Sequence, residues 1–225
     1  VETSLHRQLK ERYGPAAGGR LEVAVHGYRI DAIAADGALV EVQSGPLGPL
    51  QAKLRALLPA HSIRVIKPVV LRRRLIRRAR RDGADLSVRL SPRRGALVDV
   101  FDDLVGLAPL LPHPNLTLDV LAVEIDEVRL VEFSRRRGYT VVDRHLNAVV
   151  ATVRLDQACD LWSLLPGALP CPFTTADLAA LLRRPLDFAQ RVAYCLRTAG
   201  AVAIVGKQGN RRVYASPEAA THSAP

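Results

Sequence analysis

The sequence predicts an α/β (α+β) protein: a mixed β-sheet flanked by helices, with a small helical domain behind it. Three observations predict this. Residues 1–70 show the pattern order α-β-β-β-α-β, residues 71–155 continue with alternating apolar stretches, and from 156 short amphipathic helices lead to a terminal hairpin. The division that follows is a core at 1–70, a basic extension with further strands at 71–155, a helical domain at 156–215 and a disordered tail at 216–225.

In "ETSLHRQLKERY" Leu5, Leu9 and Tyr13 recur at helical spacing and Gly14-Pro15 ends the run, which predicts a helix at 2–13. Glu2 falls within about 20° of Leu9 on the wheel and is expected to face inward, whereas Glu11 faces water. Three short strands follow at about 20–26, 28–34 and 38–43, separated by Gly27 and by Asp36-Gly37. Leucines at 50, 54, 57 and 58 predict a helix at 49–58, and the β-branched run "SIRVIKPVVL" a buried strand at 62–71. Between 72 and 155 strands and one helix are mixed in an order that pattern does not resolve, with a loop at Pro109, Pro112 and Pro114. Further on, "DQACDLWSLLP" and "TTADLAALLRRP" read as helices, the latter opened by a Thr174/Asp177 capping box. "LDFAQRVAYCLRTAG" reads as a third helix stopped at Gly200, followed by a hairpin.

Thirty-two Lys and Arg against twenty-two Asp and Glu leave a net charge of +10, which points to a polyanionic partner. A generally arginine-rich composition would give the same total, so distribution decides. From Lys67 to Arg94 eleven basic residues meet only Asp82 and Asp85. Within this patch the run "LRRRLIRRARRD" is read as a phosphate-contacting surface through Arg73, Arg74 and Arg77, against the alternative of a solvated helical face. Cys159, Cys171 and Cys195 lack the C-x-x-C spacing of a zinc site, and an odd count does not make a disulfide framework. No apolar run reaches membrane length, so the expectation is a cytoplasmic protein without a membrane partner.

Asp31 and Glu41 are the pair that carries chemistry. A two-residue turn at Asp36-Gly37 would place them on opposite faces. A three-residue turn, Ala35-Asp36-Gly37 with Gly37 left-handed, pairs 34 with 38 and sets 31 against 41, with Gln43 further along the same face. The Asp-Gly ending favours the three-residue turn. Carboxylates gathered on one face repel unless a cation intervenes, and two of them with water suit Mg²⁺ or Mn²⁺.

Asp31, nine residues, then Glu41-Val42-Gln43 on a hairpin, preceded by a helix bearing Glu2, resembles the PD-(D/E)xK nuclease superfamily, and its Holliday-junction-resolvase branch over about residues 1–70. The resemblance implies a restriction-endonuclease-like αβββαβ core, phosphodiester hydrolysis, catalytic positions at Glu2, Asp31, Glu41 and Gln43, and metal ligation by Asp31 and Glu41 supported by Glu2. Gln43 stands where that family has lysine, so it exchanges hydrogen bonds and supplies no charge; Lys53 in the following helix is a candidate source of the missing cation. The order after 156 resembles a winged helix-turn-helix. That implies DNA contacts from Gln190, Arg191, Tyr194 and Arg197 on the last helix and from Lys207, Arg211 and Arg212 on the wing. The expected function is thus a metal-dependent DNA endonuclease, with homodimerisation the usual route to cutting both strands. A non-catalytic DNA-binding regulator on the same scaffold and a protein-assembly module are the alternatives.

Overall fold

The computed structural model describes residues 2–14, 20–132 and 138–217; the expected tail beyond 217 lies outside them. Its elements are helix α1 (Ser4–Tyr13), strands β1 (Arg20–Val25), β2 (Tyr28–Ile33) and β3 (Leu39–Val42), helix α2 (Gln51–Leu57), and strands β4 (Ile63–Arg78) and β5 (Asp85–Leu90). Next come helix α3 (Phe101–Leu104), the long strands β6 (Leu116–Val131) and β7 (Tyr139–Leu155), the short strand β8 (Phe173–Thr174), helices α4 (Thr175–Leu182) and α5 (Leu186–Thr198), and the hairpin β9 (Ala203–Gln208) and β10 (Arg211–Ala215). The expected α-β-β-β-α-β order is present in the first six elements.

Two compact units share the chain, and each is assembled from three segments. The first comprises 1–44, 62–97 and 119–152, the second 45–61, 98–118 and 153–225. Neither follows the linear division at 70 and 155.

In the first unit a mixed sheet runs in the order β1-β2-β3-β4-β6-β7, with β5 also on β4. Strands β1, β2 and β3 are antiparallel neighbours, and β3 lies parallel to β4. Side-chain partners advance together from Arg64–Asp119 to Arg74–Asp126, as in a parallel β4–β6 pair. They run oppositely from Asp126–Asn147 to Glu132–Thr140, as in an antiparallel β6–β7 pair. Leu5 and Leu9 of α1 pack on Ala32, Val40, Val42, Ile66, Leu121, Val123 and Ile125. Leu9→Ala would cost about 2–5 kcal/mol at such a buried position. Strand β7 fixes where α1 begins: the Ser4 N–H and hydroxyl donate to the Asp143 carboxylate at 2.8 and 2.6 Å, and Leu146 N–H donates to Gln8 at 2.8 Å. A carboxylate at a helix N-terminus also meets the positive end of its dipole.

The arginine run is strand, not helix. Residues 71–78 continue β4 beyond the end of β3 and pair with β5, because Leu75 and Ile76 bury their side chains in succession as a strand's two faces do.

In the second unit the side chains of Leu54, Leu57, Val98, Phe101, Leu104, Phe188, Val192 and Leu196 are buried. Gly48 and Gly106 meet backbone to backbone, since a Cβ on Gly106 would lie 2.6 Å from the Gly48 Cα. Thr174 caps α4 and shares a capping box with Asp177, and Arg183 in a left-handed conformation turns the chain toward α5. The segment 158–164 is a 3-10 turn, not an α-helix, and strands β8, β10 and β9 form a small sheet in that order. Among the described residues no helix is long and apolar enough to cross a membrane.

Candidate functional site

The three-residue turn is present. Ala34 N–H donates to Ala38 at 2.9 Å, Ile33 pairs with Leu39 and Ala32 with Val40, and Gly37 adopts φ +85°. That register sets Asp31 against Glu41. The ladder, however, is not continued there: Val42 N–H donates to Asp31 Oδ2 at 2.9 Å, so a side chain fills the place of a β2 carbonyl where the strands part.

Asp31 lines a cleft of about 430 Å³ with Glu2, Thr3, His6, Lys10, Glu22, Arg29 and Ser44. His6 Nε2 is 3.3 Å from Asp31 Oδ1 and 3.8 Å from Glu2 Oε1, while Lys10 Nζ is 2.6 Å from Glu2 and 3.0 Å from Glu22. Burial by itself raises the Asp31 pKa, but hydrogen bonds from His6 and Val42 N–H, with the nearby charges of His6 and Lys10, outweigh it and hold the carboxyl below its ordinary value. For Lys10 burial opposes the charge, yet Glu2 and Glu22 outweigh it and raise its pKa. Glu2 is not the inward helical residue expected. Helix α1 starts after it, at the Thr3 cap, and its side chain is 41 % exposed on the cleft wall.

Glu41 and Gln43 are not among the residues lining this cleft. Val40, Val42 and Ile66 face α1, so by strand alternation Glu41 and Gln43 project from the opposite sheet face. On that face Glu41 pairs in register with Val65, and the next step sets Gln43 beside Lys67. Glu41 is 6 % exposed and Lys67 1 %, an extreme burial for a lysine. Lys53 belongs to the second unit. Sequence reasoning thus missed His6, Lys10 and Lys67. The first two were signalled by the i, i+4, i+8 stripe they form with Glu2, the third by a lone lysine inside the apolar run "RVIKPVV".

The donor set can be tested against a metal. Asp31 lies in the α1 cleft with its oxygens bonded to His6 and Val42 N–H, whereas Glu41 projects from the opposite sheet face, so the two expected oxygen ligands are not gathered at one point for Mg²⁺ or Mn²⁺. Among the described residues no group of three or more His, Cys, Asp or Glu side chains is placed to hold a metal ion, so Glu2, Asp31 and Glu41 do not come together as the expected ligand set.

In the second unit a cleft of about 390 Å³ lies between the outer side of α5 and the β9–β10 hairpin. Gln190, Tyr194, Arg197, Arg211 and Arg212 line it, together with Asn210. Five of the seven expected contact residues are therefore gathered in one groove. Lys207 is exposed on β9 as the cross-strand partner of Arg212 but is not among the lining residues, and Arg191 is turned elsewhere, with Nε 2.6 Å from Asp102 of α3 and NH1 3.1 Å from Asp187. In the arginine run, Arg74 is tied to Asp126, with Arg72 near Glu124 and Arg78 bonded to Asp85, so Arg74, one of the expected phosphate contacts, is occupied by a carboxylate of β6 that is distant in sequence. Arg73 and Arg77 lie on the other face of the ribbon.

The chain is 35 % identical over 181 residues to a Treponema pallidum (strain Nichols) protein described as an uncharacterized protein, a match spanning 79 % of this chain and 71 % of that one. No solved structure matches it significantly. The profile of the family described as Domain of unknown function (DUF8091) matches residues 3–156, more than half of the sequence, and the chain belongs to that family.

Proposed function

We propose that this protein acts on DNA as a metal-dependent, PD-(D/E)xK-type endonuclease, with the second unit serving as a winged helix that places it on duplex. The observation that carries the reading is the register set by Gly37, whose next step puts position 31 opposite position 41 where β2 and β3 part; metal binding would require the Asp31 side chain to leave His6 and turn to the Glu41 face. The β1-β2-β3-β4 topology, antiparallel and then parallel, supports it, as does the β8-β10-β9 sheet with its groove of basic and polar side chains. When bound, Mg²⁺ would polarise the phosphodiester and lower the pKa of an attacking water. Asp31 and Glu41 would hold such a cation, and Lys67 stands in register beside Gln43, the position where the nuclease family has lysine.

The test is incubation of supercoiled, linear, branched and single-stranded DNA with Mg²⁺ or Mn²⁺. Cleavage is expected, and Asp31→Ala or Glu41→Ala should lower its rate by about a hundredfold or more. Cleavage that survives both substitutions overturns the site.

A second reading, a DNA-binding regulator that does not cut, is favoured by one observation: Glu2 already rests on Lys10 and Asp31 on His6, so two of the expected ligands already have partners within the protein. Salt-dependent binding with no cleavage of any substrate would select it.

A further inference from the structure

The β4–β5 ribbon has two chemically different faces. Its register pairs Arg74 with Leu90, Leu75 with Arg89, Ile76 with Val88 and Arg77 with Ser87. Alternation therefore collects Arg73, Arg77 and Arg89 on one face, with Leu75, Ser87 and Ser91, and it collects Arg72, Arg74 and Arg78 on the other, with Ile76, Val88 and Leu90. The second set is already neutralised by Glu124, Asp126 and Asp85. Among the described residues the first set has no carboxylate within ion-pair distance, and Arg77, Ser87 and Arg89 are exposed. Arg73 to Arg89 and Arg89 to Arg77 are each one diagonal step across two strands, about 8 Å apart, so the three charges form a regular zigzag.

We propose that this face, through Arg73, Arg77 and Arg89, is a contact surface for the phosphate backbone of duplex nucleic acid. It rests on the DNA-directed reading above and adds a surface in the first unit. Guanidinium groups match phosphate geometry and are weakly hydrated, so three unpaired ones in a row favour a polyanion with closely spaced phosphates. The ribbon stays joined to β6, so it presents a sheet surface rather than a free arm that would enter a groove, and its contacts add affinity without reading bases. An anionic membrane is the lesser fit. Its natural docking side would be the exposed Leu86, Val88 and Leu90, and that side also carries Asp85 and Asp126.

The experiment measures binding of the full chain to a duplex oligonucleotide, without divalent metal, as a function of salt. Arg73→Ala/Arg77→Ala/Arg89→Ala is compared with Arg72→Ala/Arg74→Ala/Arg78→Ala, which removes the same net charge. Loss of three phosphate contacts should reduce the slope of log K against log salt by about 2.7, at roughly 0.9 per contact, while the matched triple leaves the slope within about 1 of wild type. The double Arg77→Ala/Arg89→Ala, both at exposed positions, should lose about 1.8 and guards against a folding defect in the triple. Equal slopes for the two triples overturn the proposal while leaving the DNA-directed reading intact. If wild type binds no duplex at low salt, the DNA-directed reading itself fails. Binding only to phosphatidylserine vesicles, lost in the first triple, overturns the nucleic-acid assignment in favour of a lipid headgroup.

Discussion

Cys195 sits on the inner face of α5 with its Sγ 3.9 Å from the Phe101 carbonyl, and burial pushes its thiol up to about 12. Cys159 and Cys171 are exposed. Alkylation of the native protein near neutral pH should therefore modify two thiols and reach the third only after unfolding, which intact-mass spectrometry would read directly. Carboxylates give a second residue-scale prediction. For Asp31, Asp143 and Glu127 burial raises the pKa, but hydrogen bonds and neighbouring cations outweigh it and lower all three below their ordinary values. A lowered folded-state pKa contributes stability that is complete above the ordinary carboxylate value and is lost as pH falls through the folded value. Denaturation midpoints should thus fall as pH drops below about 4, the ordinary carboxylate value, and Asp143→Asn, which removes the anion receiving Ser4 at the start of α1, should reduce that fall. Of the residues themselves, the left-handed Gly37 and the register it sets between β2 and β3 were legible because a hairpin turn is governed by local chemistry. His6 and Lys10 share a helical stripe with Glu2, but their partners Asp31 and Glu22 lie on strands brought to α1 only by the tertiary fold, so the stripe did not show what they meet.

At the level of elements, α4 depends on its cap. The Thr174 hydroxyl oxygen accepts from Ala176 and Asp177 N–H, and Asp177 accepts in return from Thr174 N–H at 2.8 Å. Thr174→Ala should cost about 1 kcal/mol, measured by chemical denaturation. Gly106→Ala should also destabilise, by about 1–3 kcal/mol, because the new methyl group would meet Gly48 backbone at 2.6 Å and backbone cannot rotate away. Elements with strong local punctuation were readable: α1 by its leucines and Gly14, the β2–β3 turn by Asp36-Gly37, and α4 by its capping box. The arginine run was not. Its charges repeat too densely to show a period, and only pairing with β5 and the carboxylates of β6 makes strand the state that satisfies them. Strands β6 and β7 were equally opaque in order, since sixteen and seventeen residues of alternating pattern carry no signal of which neighbour they will join.

For the whole molecule, the family match and the compact units divide the chain differently. The match covers 3–156, yet the second unit takes 45–61 and 98–118 from within that span and 153–225 largely from beyond it. Phe101 and Asp102 of α3 meet Cys195 and Arg191 of α5. A fragment ending near residue 156 should consequently leave Phe101 and Leu104 of α3 without their α5 partners. It should bind a hydrophobic dye and aggregate on size-exclusion chromatography, whereas the full chain should not. The interleaving also sets a timetable for biogenesis. Residues 45–61 leave the ribosome roughly ninety residues ahead of the segment that completes their unit, a wait of about 5–20 s at ordinary elongation rates. For that interval the nascent chain carries leucine-rich surface with nothing to cover it, so its yield in cells should depend on chaperone capacity and elongation speed more steeply than the stability of the finished protein would suggest.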